Sequence, residues 1–273
     1  MRNLHGSGIL RQALRNGIRA LGYDVIRYAR PRCLQREEGH SAVVAPLAVF
    51  FLGAQGVGKT SLALEVAKLS KNQTCLITQE QRLNPAGSQW VISEGEIPTV
   101  YKALLELKLQ GTVKDSQRSI YSKFVHLYWT YWVTMNHLWM KSRVATCIPL
   151  VDSSFFQHFV SEMCVLDDSD ASAFSGLVAD SVFIHCVADT GTILDHIAMR
   201  KEKHGRWVSA HWGKNEEQLA EFTDRRLSEI SRFMDLVRKR GGACLEIDAS
   251  KEIRGNAQKV WDFIRAEVAL RTK

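Results

Sequence analysis

One run of eight residues carries the most specific chemistry in this chain. Gly53-Ala54-Gln55-Gly56-Val57-Gly58-Lys59-Thr60 fits G-x-x-x-x-G-K-[ST] at every defined position. Ordinary residue frequencies would produce that match by chance in roughly one chain in a hundred of this length. The residue types suit a phosphate. Glycines let the backbone wrap an anion closely, and the loop amides with the following helix N-terminus point partial positive charge at it. Lys59 reaches the β- and γ-phosphates of a nucleotide in such a loop, and the Thr60 hydroxyl can ligate Mg²⁺. A nucleotide and Mg²⁺ are therefore the expected ligands.

A phosphate-binding loop of this type works with an acid at a strand end. Two acidic positions follow apolar runs: Asp152 after Cys147-Ile148-Pro149-Leu150-Val151, and Asp167-Asp168 after Met163-Cys164-Val165-Leu166. Phe155, Phe156, Phe159, Val160 and Met163 recur at helical spacing, so the second run closes a helix. Asp152 then sits at the carboxyl end of a strand, where α/β proteins form ligand sites. It is the expected metal-shell or catalytic carboxylate; the rival reading is a helix N-cap. The cluster Asp167-Asp168-Ser169-Asp170 reads as a solvated loop, and Asp189 as the cap of a following helix. No N-K-x-D or T-K-x-D motif for guanine is present.

Positioning these groups takes a sheet. Leu47–Leu52, directly before the loop, is continuously apolar, as expected of a strand covered on both faces. Similar runs recur at Thr74–Thr78, Cys147–Val151, Val182–Val187 and Ala243–Ile247, each separated by enough chain for a helix. This alternation predicts an α/β, three-layer fold with a mostly parallel, doubly wound central sheet flanked by helices. Thr60–Leu69 has helical periodicity. Ile120–Met140 has apolar residues nearly all round a helix, which predicts a buried helix or, alternatively, an aromatic pocket wall.

The organisation reads as a basic amphipathic N-terminal segment and linker over 1–40, then one domain over 41–273. Residues 1–38 hold eight Arg and three acids, a net +5 of the chain's formal +7. Ile9, Leu10, Ala13, Leu14, Ile18 and Leu21 form one helical face of that segment, with Arg11, Arg15 and Arg19 on another. Such a helix can lie on an anionic membrane surface or dock on protein. The near-neutral body lacks a basic stripe, so no nucleic-acid partner is expected. At 273 residues, 45% hydrophobic and 24% charged, the composition is that of a globular protein. No apolar stretch reaches the roughly 18–20 residues of a membrane span, and the opening residues do not read as a secretory signal. None of the six cysteines lies in a C-x-x-C pair. Free buried thiols and a cytoplasmic location are expected, with peripheral contact at the inner membrane surface left open.

The chain resembles the nucleoside and nucleotide kinases that include thymidylate kinase and the deoxynucleoside kinases. The resemblance rests on Gly53–Thr60; on Thr78-Gln79-Glu80 with Trp90 after the second strand; and on Asp152-Ser153-Ser154 after the third. It continues with Val182–Val187, the segment Leu194–Arg200, and Lys201–Arg206, which looks like a lid, and ends with Leu245–Ser250. It covers roughly 47–270. Ser153 and His196 stand where the family has arginines. The resemblance implies transfer of the ATP γ-phosphoryl group to a small-molecule acceptor such as a nucleoside, nucleotide or sugar. Lys59 would hold phosphates, Thr60 and Asp152 the metal, Arg200 and Arg206 the transferring group, and Glu80 or Asp152 the acceptor proton. A homodimer is a further open expectation. Ala20–Tyr28 also faintly resembles leaders of bacterial enzymes that build surface polysaccharides. The competing readings are a sulfotransferase built on the same loop and a non-catalytic nucleotide-binding regulator.

Overall fold

The computed structural model describes residues 47–71, 73–77, 97–116, 119–141, 147–152, 155–204 and 214–271. The segment 1–40 and its basic helix lie outside the described residues.

Five strands form one sheet in the order β2-β3-β1-β4-β5: β1 (Ala48–Leu52), β2 (Thr74–Ile77), β3 (Ile148–Asp152), β4 (Ser181–Val187) and β5 (Ala243–Asp248). Every pairing is parallel. The helices between and after them are α1 (Lys59–Leu69), α2 (Thr99–Lys114), α3 (Ile120–Lys141), α4 (Phe155–His158), α5 (Val160–Ser169), α6 (Ala171–Val178), α7 (Thr190–His204), α8 (Glu216–Lys239) and α9 (Ile253–Arg271).

The apolar runs are continuous because side chains leave a strand alternately and both faces here are covered. Phe50, Leu52 and Phe183 enter one core with α2–α6 and α8. Val49, Phe51, Val182, Ile184 and Cys186 enter the other with α1, α7 and α9. Phe156 anchors the first core, its ring centroid 4.7 Å from Phe50 and 4.8 Å from Phe183, edge-on to both. The chain leaves β1 toward β3 and β2, then crosses to β4 and β5. That reversal opens a crevice at the carboxyl end of β1, the usual ligand position in such sheets.

Helix ends follow local chemistry. The Asn215 side chain accepts from Gln218 N–H and Gln218 reaches back to Asn215 N–H, a complete capping box on α8. Asp189 accepts from Thr192 N–H at 2.8 Å, the expected cap of α7.

Three expectations change. First, α3 is not buried all round: Val133 and His137 pack into the core, whereas Ile120 and Phe124 are 88% and 67% exposed. Its later turns reach the sheet, where the His137 ring lies 5.7 Å from Phe50, whereas its early turns leave large apolar side chains exposed. Second, Asp167 is not a solvated loop acid. It ends a turn of α5, buried, and accepts from Arg240 Nε at 2.8 Å and Nη2 at 3.2 Å. Third, Cys147, Cys164, Cys186 and Cys244 are free thiols, but Cys75, on the edge strand β2, is disulfide-bonded. An edge strand has one side open to another chain segment, which a central strand lacks.

Candidate functional site

The site begins where β1 ends. Gly53 has φ 152°, and a Cβ there would lie 2.5 Å from the Cys186 carbonyl oxygen of β4 and 2.8 Å from Val57 Cγ1. Only glycine lets the loop leave the sheet this closely. Gly58, at φ 95°, turns the chain into α1 as its N-cap. No side chain caps that helix and no acid lies in its first turn. Its N-terminal amides and dipole are thus left for an external anion.

Lys59 is buried, and its Nζ donates to the carbonyls of Gly53 and Ala54, each at 2.8 Å. Burial lowers this ammonium to about 8; the Asp152 carboxylate opposes the shift, and Arg226 and Arg200 add to it. Burial also pushes the Cys186 thiol up to about 12. Cys186 is therefore neutral at pH 7 and adds no charge beside Lys59. The lysine is held inside the loop, ready to turn its charge to a bound phosphate.

Asp152 closes β3 in register with Phe51 and is 5% exposed. Thr60 Oγ1 donates to Asp152 Oδ2 at 2.5 Å across 92 residues of sequence. Hydroxyl and carboxylate oxygens are the donor types that Mg²⁺ takes. The two expected metal ligands therefore meet, and as an oxygen pair they fit such an ion.

The expected anion-side residues divide. Arg200, on α7, lies within electrostatic reach of Lys59. One turn earlier, His196 Nδ1 is 3.0 Å from the Gly56 carbonyl. A carbonyl only accepts, so Nδ1 carries the proton. His196 thus braces the loop from α7. Ala54, Gln55 and Val57 complete the loop; Ala54 and Val57 are buried in the core beneath it. Glu80 and Arg206, with Trp90 and Ser153, lie outside the described residues.

Two residues were not foreseen. Gln157, on α4, donates its Nε2 to the Gly53 carbonyl at 3.0 Å, sharing that oxygen with Lys59. Arg226, on α8, donates to the Gln157 carbonyl and to Glu229 Oε2, the latter at 2.7 Å. Gln157 carries no sequence signal, since nothing in an amphipathic run marks a glutamine that faces a loop. Arg226 does carry one. The buried residues of α8 are Leu219, Thr223, Ile230, Phe233, Met234 and Val237, and Arg226 falls on the same stripe. A guanidinium on a core stripe breaks the binary pattern, which is a mark of function.

Beyond Arg226 a second polar group continues between helices. Lys108 Nζ, on α2, donates to the His158 carbonyl at 2.7 Å and to Glu162 Oε2 at 3.2 Å. Burial lowers its ammonium, and the Glu162 carboxylate opposes that shift. Trp129 Nε1 donates to His158 Nε2 at 3.2 Å.

An all-parallel α/β sheet, with a glycine loop, a lysine and a paired threonine and aspartate at its crevice, defines the class of fold. No family model matches the chain, and no curated protein matches it. Among solved structures the chain is similar to deoxyadenosine kinase from M. mycoides. With bound dATP that structure shares 11% identity and a TM-score of 0.42, over 80% of this chain and 98% of that one. With bound dCTP it shares 13% identity and a TM-score of 0.39, over 81% and 98%. Shikimate kinase from Acinetobacter baumannii, in complex with shikimate, shares 14% identity and a TM-score of 0.39, over 81% and 93%. At these scores the likeness identifies neither an activity nor a substrate.

Proposed function

We propose that the protein is a small-molecule kinase that transfers the γ-phosphoryl group of ATP to a hydroxyl or phosphate oxygen of an acceptor of the nucleoside, nucleotide or sugar kind. The observation that carries this reading is the junction of β1 and α1. A glycine loop there leads into an uncapped helix, Lys59 lies inside it, and Thr60 touches Asp152 at 2.5 Å.

The residues divide the work as follows. Loop amides and the α1 N-terminus hold the phosphate oxygens. Lys59 neutralises charge between the β- and γ-phosphates. Thr60 and Asp152 would hold Mg²⁺, which when bound supplies charge neutralisation to the phosphate oxygens. In the transfer the acceptor oxygen forms a bond to the γ-phosphorus while the bond to the bridging β–γ oxygen breaks, releasing ADP. A hydroxyl acceptor loses its proton to a carboxylate, Asp152 or Glu80. Arg200 and Arg206 are placed by this reading against the transferring group.

The test is transfer from γ-labelled ATP with Mg²⁺ across nucleosides, nucleoside monophosphates and sugars, with Lys59→Ala as control. A labelled acceptor that disappears in the variant is expected. ATP binding without any transfer would favour the regulatory reading, and absence of ATP binding would make a sulfonucleotide the next ligand to try.

A further inference from the structure

Arg226 stands where a core residue belongs. Its position on α8 falls between Thr223 and Ile230 on the buried stripe, and its side chain is only 22% exposed. Drawing a guanidinium toward a core costs desolvation, which must be offset by partners or by function. The partners present are few. The structure assigns it the Glu229 carboxylate and the Gln157 carbonyl. A guanidinium has five N–H donors, so among the described residues most are left for a ligand.

The placement of those partners is informative. Gln157 is the residue whose amide holds the Gly53 carbonyl at 3.0 Å, so Arg226 is one residue removed from the phosphate loop. Lys59 thus lies within electrostatic reach of both Arg200 and Arg226. Like charges brought together repel, and an anion with several oxygens is the ligand that relieves the repulsion. Polyphosphate is that ligand if the loop binds a nucleotide.

We propose that Arg226 is an additional phosphate-binding residue of the site, contacting the terminal phosphate of a bound nucleoside triphosphate from α8. This rests on the kinase reading of the loop. Charge-assisted, bidentate bonds of guanidinium to phosphate are the strong kind, and their geometry is one that lysine does not reproduce. The residue lies 166 positions beyond Thr60 in the chain, on α8, which packs against α5 and α7.

The experiment compares MgATP and MgADP binding to the full-length protein, wild type against Arg226→Met, Arg226→Lys and Gln157→Leu, with thermal melts of each. Removal of Arg226 is expected to weaken MgATP by about ten- to a hundredfold, with MgADP changed by less than about twofold because the loop still holds it. Arg226→Lys should recover part of the loss and provides the readout if Arg226→Met folds poorly. Gln157→Leu should weaken both nucleotides alike, since it acts through the loop. Equal losses of MgATP and MgADP in the Arg226 variants would overturn the assignment and make Arg226 a brace for Gln157. Unchanged MgATP binding would overturn it outright. A wild-type protein that binds neither nucleotide would sink the kinase reading first, and this assignment with it.

Discussion

The loop geometry predicts that its glycines are unequal, and Gly53→Ala against Gly58→Ala measures the difference. Both glycines have positive φ, 152° and 95°, so alanine is strained at each. At Gly58 nothing lies within 4 Å of a built Cβ. The cost there is backbone strain alone, about 1–2 kcal/mol. At Gly53 the same Cβ would sit 2.5 Å from the Cys186 carbonyl and 2.8 Å from Val57 Cγ1. The carbonyl belongs to a central strand paired on both sides, so it cannot give way as a flexible side chain would. Overpacking of this kind adds about 1–3 kcal/mol, for a total of about 2–5 kcal/mol. A domain of this size loses about 2–4 °C of Tm per kcal/mol. Urea unfolding of the nucleotide-free protein is the assay, since ligand contacts then play no part. Gly53→Ala should be the less stable variant by about 1 kcal/mol or more. Equal stability of the two would refute the argument that contact with β4, and not φ, makes Gly53 irreplaceable.

Three other outcomes follow from the same structure. On the kinase reading, Asp152→Asn keeps an oxygen for the Thr60 hydroxyl but removes the charge, so Mg²⁺-dependent transfer should fall by about a hundredfold or more; a Mg²⁺ titration showing wild-type rates would remove Asp152 from the site. His185 is buried on β4, its Nδ1 is 3.2 Å from Glu246, and its Nε2 has no partner among the described residues. Burial lowers its pKa, with Glu246 opposing. The unfolded chain therefore takes up the proton first as pH falls below about 6.5. Stability should decline on acidification from that point, and urea midpoints between pH 8 and 5 should slope less in His185→Leu. Phe156→Ala removes a fully buried ring in contact with Phe50, Phe183 and Phe233. It should cost about 3–5 kcal/mol, read as a lowered urea midpoint; a change under about 1 kcal/mol would mean the core collapses onto the gap.

What the sequence alone determined is local. The β1–loop–α1 unit is legible because its glycines, lysine and threonine are consecutive and the conformational demands on them are met by neighbours in the chain. The strands are legible because burial on both faces leaves an unbroken apolar run, as at Val182–Val187 and Ile148–Val151. The same logic places Asp152 at a strand end, where it closes β3. Tertiary structure decided everything that depends on which elements become neighbours. The 2.5 Å contact of Thr60 with Asp152 exists because β3 pairs with β1, a choice among strand orders that periodicity does not rank. Asp167 became a buried partner of Arg240 because the end of α5 meets the end of α8. The early turns of α3 leave large apolar side chains exposed, although their composition is that of a core helix. Arg226 and Gln157 reach the loop through contacts spanning 69 and 104 residues. A side chain's type and spacing state what it can bond. Its partner is set only when the chain has closed those distances.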